Sequence, residues 1–95
     1  MGLFFTWDDR KAAINLRKHG ITFEEAASIF GDPLLMTIPD RKHSNGEERF
    51  FSLGKSREDR LLAVAHTESR DWVHIINARK ASRKETKTYE EGEDN

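Results

Sequence analysis

The first apolar block, Leu3-Phe4-Phe5 with Trp7, is short and aromatic and runs straight into Asp8-Asp9. A strand at 3–7 followed by an aspartate-capped helix is the simplest reading. That helix is expected over 9–19, stopping at Gly20, which suits the left-handed C-cap position. Thr22 and Glu25 have the spacing of a capping box, and Phe23, Ala26, Ala27 and Phe30 recur at helical intervals behind them. A second helix with one continuous apolar stripe should therefore pack Phe23, Ala26 and Phe30 into a core, until Gly31-Asp32-Pro33 ends it. Beyond this point the apolar runs shorten. Strands are expected at 34–38, 48–54, 60–67 and 72–79, separated by the turn-rich stretch 40–47 and two polar links. Ser82 and Glu85 repeat the capping-box spacing and open a polar helix to about 91.

The order β-α-α-β-β-β-β-α predicts a small single α+β domain over 1–91, two N-terminal helices packed on an antiparallel sheet, with a C-terminal helix and an acidic disordered tail at 92–95. The 95 residues fit one core and exclude a two-domain enzyme. Zero cysteines remove disulfides, thiolate nucleophiles and Cys-based zinc sites. The formal charge of −1 conceals an asymmetry: residues 89–95 hold four acids and no base, leaving 16 basic against 13 acidic residues in 1–88. That excess is mild, so polyanion binding would depend on local clustering. No stretch approaches the ~20 apolar residues of a membrane helix and no signal peptide is recognisable, which predicts a cytoplasmic protein.

There is no G-x-S-x-G elbow, Walker loop or dinucleotide fingerprint, and His19, His43, His66 and His74 include no pair at helical metal-ligand spacing. Neither a metal nor a cofactor is expected. The remaining chemistry is cationic. On the first helix Arg10 and Arg17, like Lys11 and Lys18, are seven apart and share one arc, while Ala12, Ala13 and Leu16 on the opposite arc are expected to face the core. Ile14 sits anomalously within the basic arc: either an exposed anchor for a partner, or a core residue of a differently rotated helix. A second cluster falls at strand ends. Arg49 opens one strand, His66 closes another, and Arg79, Lys80, Arg83 and Lys84 straddle the junction from last strand to last helix. Each charged residue taken singly reads first as structural or solvated surface, and His66 equally as a satisfied edge-of-core histidine. Together with Glu48 and Glu68 they supply what metal-free RNA cleavage needs: a base for the ribose 2′-OH, cations for the phosphorane, an acid for the 5′-oxygen.

Several segments resemble one family in order: F-x-W-D near the start, N-L-R-K-H-G-I-T-F-E-E-A at 15–26, F-x-D-P at 30–33, E-E-R-F at 47–50, H-T-E at 66–68, and I-I-N-A-R-K-A-S-R-K-E with Tyr89. The chain is similar across 4–89 to the BrnT ribonuclease toxins of type II toxin-antitoxin systems. The resemblance implies a RelE-like α+β fold, an RNA substrate, and neutralisation by a BrnA-like DNA-binding antitoxin that represses the shared operon. It draws attention to Lys18 and His19, Glu48 and Arg49, His66 and Glu68, and Arg79, Arg83 and Glu85. Lys80 stands where many relatives carry Arg, Asn77 where Ser is common, and the acidic tail is outside the pattern.

Two functions therefore compete. In the first, a metal-independent endoribonuclease uses Arg79 and Arg49 on phosphate and Glu48 or His66 for proton transfer. Lys18, His19, Arg83, Lys80, Arg10, Lys11 and Arg17 hold RNA, and Ile14 anchors the antitoxin. In the second, a module of the same fold binds RNA or protein without cleaving it.

Overall fold

A computed structural model describes residues 2–43 and 46–92. The chain orders as β1 (Phe4–Trp7), α1 (Asp9–His19), α2 (Phe23–Ser28), β2 (Met36–Pro39), β3 (Arg49–Lys55), β4 (Leu61–Ser69), β5 (Trp72–Lys80) and α3 (Arg83–Gly92), with short 3-10 turns at Ile29–Gly31 and Arg41–His43. α1 begins and ends where the capping residues place it. Asp8 accepts from the Arg10 and Lys11 amides, and Gly20, at φ 71°, returns its N–H to the Leu16 carbonyl. The acidic tail lies outside the described residues from 93 onward, Gly92 being the last residue of α3.

The five strands form one sheet in the order β1-β5-β4-β3-β2. β2 to β5 are the expected antiparallel meander, but β1 corrects the expectation of a purely antiparallel sheet by pairing parallel to β5, with Phe4 opposite Trp72 and Trp7 opposite Ile75. The reason lies in the connection. α1 and α2 carry the chain across one face from the β1 edge to the β2 edge, and the meander then returns to set β5 beside β1, the kind of crossover that a parallel neighbour needs. β2 starts at Met36, two residues later than expected, because Asp32 accepts from the Leu34 amide and holds 32–35 in a turn.

Register alternation separates two faces. Trp7, Ser52, Val64, His66, Val73, Ile75 and Ala78 share the face covered by α1 and α2, where Ile21, Phe23, Ala26 and Ile29 complete the main core. α2 stops at Ser28 and gives way to a 3-10 turn, so the tighter winding brings Ile29 into the fully buried position and leaves Phe30 half-buried beside Phe5 and His66. Gly54 matches this close approach, since a Cβ there would lie 3.1 Å from the Ile29 carbonyl oxygen. On the opposite face α3 covers only one end, seating Tyr89 on Leu53 and Ala63. Among the described residues nothing packs over the rest of that face.

α1 is turned relative to expectation by somewhat less than one residue step of about 100°. Asn15 is buried, Ala12 and His19 are half-buried, and Ala13 and Leu16 are exposed, which corrects the assignment of Ala13 and Leu16 to the core. The cause is hydrogen bonding, not hydrophobicity. β1 ends opposite Ile75, so the free edge of β5 beyond it must be satisfied by something else. The Asn15 carboxamide donates to the Ala78 carbonyl (2.9 Å) and accepts from the Ala78 amide (3.0 Å), standing in for the missing strand, and donates again to the Ile21 carbonyl (3.0 Å).

Candidate functional site

A β-bulge decides which side chains reach the open face. Ala65 pairs with Asn77 but the next residue, His66, pairs with Ile75, so Ile76 is the extra residue. Strict alternation from Val73 and Ile75 would send Asn77 and Arg79 toward the helices. The bulge resets the phase, returning Ala78 to the core and turning Asn77 and Arg79 outward beside Phe51 and Ala63. Arg49, paired with Thr67, and His74, paired with the same Thr67, emerge on this face too. Small residues Ala63, Ala65 and Thr67 of β4 make its floor, with Arg49 and Phe51 on one side and His74, Asn77 and Arg79 on the other.

Arg79 is held firmly. Its guanidinium pairs two-pronged with Glu85 (2.7 and 2.9 Å), lies 5.9 Å from the Phe51 ring centre, and reaches the Lys80 carbonyl at 3.4 Å. Glu85 closes the expected capping box as well, accepting from the Ser82 amide while Ser82 Oγ accepts from the Glu85 amide. The Arg79 pairing holds the Glu85 carboxyl at about 2, well below the ordinary carboxylate value. Of the five guanidinium N–H donors, the Nε–H and one on Nη2 have no partner among the described residues. The capping box expected at Thr22 and Glu25 is only half realised: Thr22 accepts from the Glu25 amide, but the Glu25 carboxylate turns inward to Arg60 and Ser56, Arg60 holding it below the usual range.

His66 does not join this group. It is fully buried on the helix-covered face, between Phe30 and Phe50, with Nε2 2.7 Å from Ser52 Oγ, while Nδ1 finds no hydrogen-bond partner among the described residues and lies 3.6 Å from the nearest Glu68 oxygen. Burial pushes its pKa down to about 4, so the ring is neutral near pH 7. A histidine closed off from solvent cannot meet a 2′-OH, which corrects its assignment to proton transfer. The histidine that β5 projects from the open face is His74, exposed, its Nδ1 2.8 Å from Thr6 Oγ1. Its position was readable in the alternation of W-V-H-I at 72–75, where Val and Ile take the core and Trp and His the other side. Glu48 is exposed just ahead of β3, and Arg49 is half-buried at its start. Their register keeps Arg49 and Arg79 four β4 positions apart on one face, roughly 13 Å along the strands at about 3.3 Å per residue.

The cations of α1 gather at the neighbouring edge. Lys11, Ile14, Lys18 and His19 face Ile76, Asn77 and Arg79 across a groove of about 330 Å³. Arg79 thus belongs both to this groove and to the open face. Ile14 is 50% exposed, which excludes its alternative as a core residue. Arg10 and Arg17 are exposed on the same arc of α1, whereas Lys80, Arg83 and Lys84 are exposed around the start of α3 and do not line the groove. Among the described residues no three His, Asp or Glu side chains converge as a metal centre requires, and no helix is long and apolar enough to cross a membrane.

Comparison with known proteins follows the same outline. The family model described as the ribonuclease toxin BrnT of type II toxin-antitoxin systems matches residues 7–85. The 1.1 Å crystal structure of the Brucella abortus ribonuclease toxin BrnT has a similar fold, with a TM-score of 0.66 at 20% sequence identity, over 85% of this chain and 99% of that one. No curated protein sequence matches the chain.

Proposed function

The chain belongs to the BrnT family of ribonuclease toxins of type II toxin-antitoxin systems, and from that premise we propose that it is a metal-independent endoribonuclease whose RNA lies along the open sheet face. The observation that carries this reading is the projection of Arg49, His74 and Arg79 from one face, around a floor of small residues. In the proposed reaction the ribose 2′-oxygen bonds to the adjacent phosphorus while the bond from phosphorus to the 5′-oxygen breaks. The products are a 2′,3′-cyclic phosphate and a 5′-hydroxyl. Arg49, opposite His74 across Thr67, neutralises the non-bridging oxygens of the reacting phosphate, while the two remaining donors of Arg79, about 13 Å further along the strands, hold a flanking phosphate together with Lys11, Lys18 and His19 of the adjoining groove. His74 takes over the proton-transfer role first assigned to His66, with Glu48 as the second candidate. Thr6 fixes the ring through Nδ1 and so presents Nε2.

The second reading, a binding module that cleaves nothing, draws on one observation: Arg79 is already paired with Glu85, as a purely structural arginine would be. Incubating the purified protein with total RNA in EDTA separates the two. Cleavage that His74→Ala abolishes without loss of thermal stability supports the enzyme, and intact RNA supports the module. The antitoxin partner follows from the family, and the α1 groove with Ile14 exposed among Lys11 and Lys18 is the surface proposed for it, in the cytoplasm.

A further inference from the structure

At the β1 end of the open face Phe4 and Trp72 stack, ring centres 5.0 Å apart and planes 30° from parallel, yet they are 55% and 49% exposed. They sit on adjacent parallel strands directly opposite each other, so the pair is held by the sheet and is not a chance contact of loop residues. Beside Trp72 opens a groove of about 440 Å³ lined by Thr6, Glu47, Thr67, Ser69, Trp72 and His74. Three hydroxyl groups, a carboxylate and an imidazole thus border an aromatic wall. Glu47 also lines the next groove, whose other walls are Lys42, His43 and Arg49.

An apolar peptide side chain would use the ring but strand the polar groups around it. An unpaired nucleobase uses both, through its π face on the indole and its hydrogen-bonding edge on the hydroxyls. Charge sets the orientation. A phosphate on Glu47 would be repelled, so the base edge with its N–H donors belongs on the Glu47 side and the phosphate on the side of Lys42, His43 and Arg49. A paired base in a duplex has neither its face nor its pairing edge available to such a site.

We infer that Trp72, backed by Phe4, is a stacking platform for one unpaired base of a single-stranded RNA, with the adjoining phosphate in the Arg49 groove. This rests on the RNA-cleaving reading above and adds a requirement for single-stranded substrate. The test titrates a labelled, short single-stranded oligoribonucleotide, made uncleavable by 2′-O-methylation, into wild type, Trp72→Ala and Trp72→Phe at one salt concentration. Trp72→Ala is expected to weaken binding about tenfold or more, as loss of one base–aromatic stack implies, while Trp72→Phe keeps most of the affinity. The same sequence presented as a duplex should bind with no dependence on Trp72. In the wild-type protein the Trp72 indole N–H resonance should shift as single-stranded probe is added, a readout that needs no variant to fold. An unmoved Trp72 resonance, or undiminished affinity of Trp72→Ala, in a protein that still cleaves RNA overturns the platform and leaves the enzyme standing. A wild-type protein that neither binds nor cleaves RNA overturns both. Trp72→Ala that keeps RNA affinity and loses antitoxin affinity reassigns the pair to the protein partner.

Discussion

Two ionisable side chains, His66 and Glu85, carry opposite charge chemistry and leave distinct marks on stability. His66 has its folded pKa lowered from 6.5 to about 4 by burial. As pH falls below 6.5 the unfolded chain takes up this proton before the folded one does, so stability declines from 6.5 down to about 4 and then levels off. Glu85, lowered from 4.5 to about 2 chiefly by Arg79, contributes fully above 4.5 and loses its contribution as pH falls toward 2. Urea midpoints measured down the pH scale should therefore show two successive declines. His66→Gln should flatten the upper one and Glu85→Gln should reduce the lower, to which Glu25, held below its ordinary value by Arg60, also contributes. A wild-type profile with no decline above pH 4.5 would mean that His66 is accessible to protons in the folded state. Because His66 acts on the fold, His66→Gln should reduce the amount of folded protein while leaving cleavage per folded molecule near wild type. His74→Ala should do the reverse.

The elements were legible in proportion to how local their signals are. Asp8, Gly20, Thr22 and Ser82 mark helix ends through contacts within a few residues, and all four ends lie where the sequence puts them. The rotation of α1 was not legible, because it is set by Asn15 bonding to Ala78, 63 positions away in the chain. A polar residue inside a helix reads as surface until the strand edge it completes is known. Asn15→Ala should strand the Ala78 N–H and carbonyl together and cost on the order of 2–4 kcal/mol, with fast hydrogen exchange at the Ala78 amide. Asn15→Asp should recover little, since a carboxylate cannot donate to the Ala78 carbonyl. Similar reasoning separates the two residues at the end of α2. Ile29 is fully buried and Phe30 only partly, so Ile29→Ala should cost about 2–5 kcal/mol and Phe30→Ala less, which chemical denaturation of the pair would rank. The candidate site was legible as a set of cations but not as an arrangement. Arg79 and Glu85 were both visible in the terminal motif, yet their pairing depends on the bulge at Ile76.

Across the whole molecule the sheet separates two tasks. One face is closed by α1 and α2 and holds the fold; the other, among the described residues, is covered only at one end by α3 and is the face proposed for RNA. The α1 groove lies at the edge joining them and contains Arg79, so a partner seated there would meet a cation of the proposed RNA surface without covering the whole sheet. Within that groove Ile14 is the one large apolar side chain of the basic arc, 50% exposed between Lys11 and Lys18. An exposed apolar group ringed by charge has the composition of an interface centre, where a buried anchor contributes most of the affinity and the surrounding charges set orientation. Because Ile14 contributes little to the core, Ile14→Asp should leave the melting temperature nearly unchanged. Burying a carboxylate in place of the isoleucine should weaken antitoxin binding by about tenfold or more, since an apolar anchor is lost and a charge must be desolvated. Lys18→Glu should act mainly on the association rate and lose its effect as salt rises. Calorimetry of Ile14→Asp with the antitoxin decides the point: unchanged affinity in a fully folded variant would place the antitoxin elsewhere on the molecule.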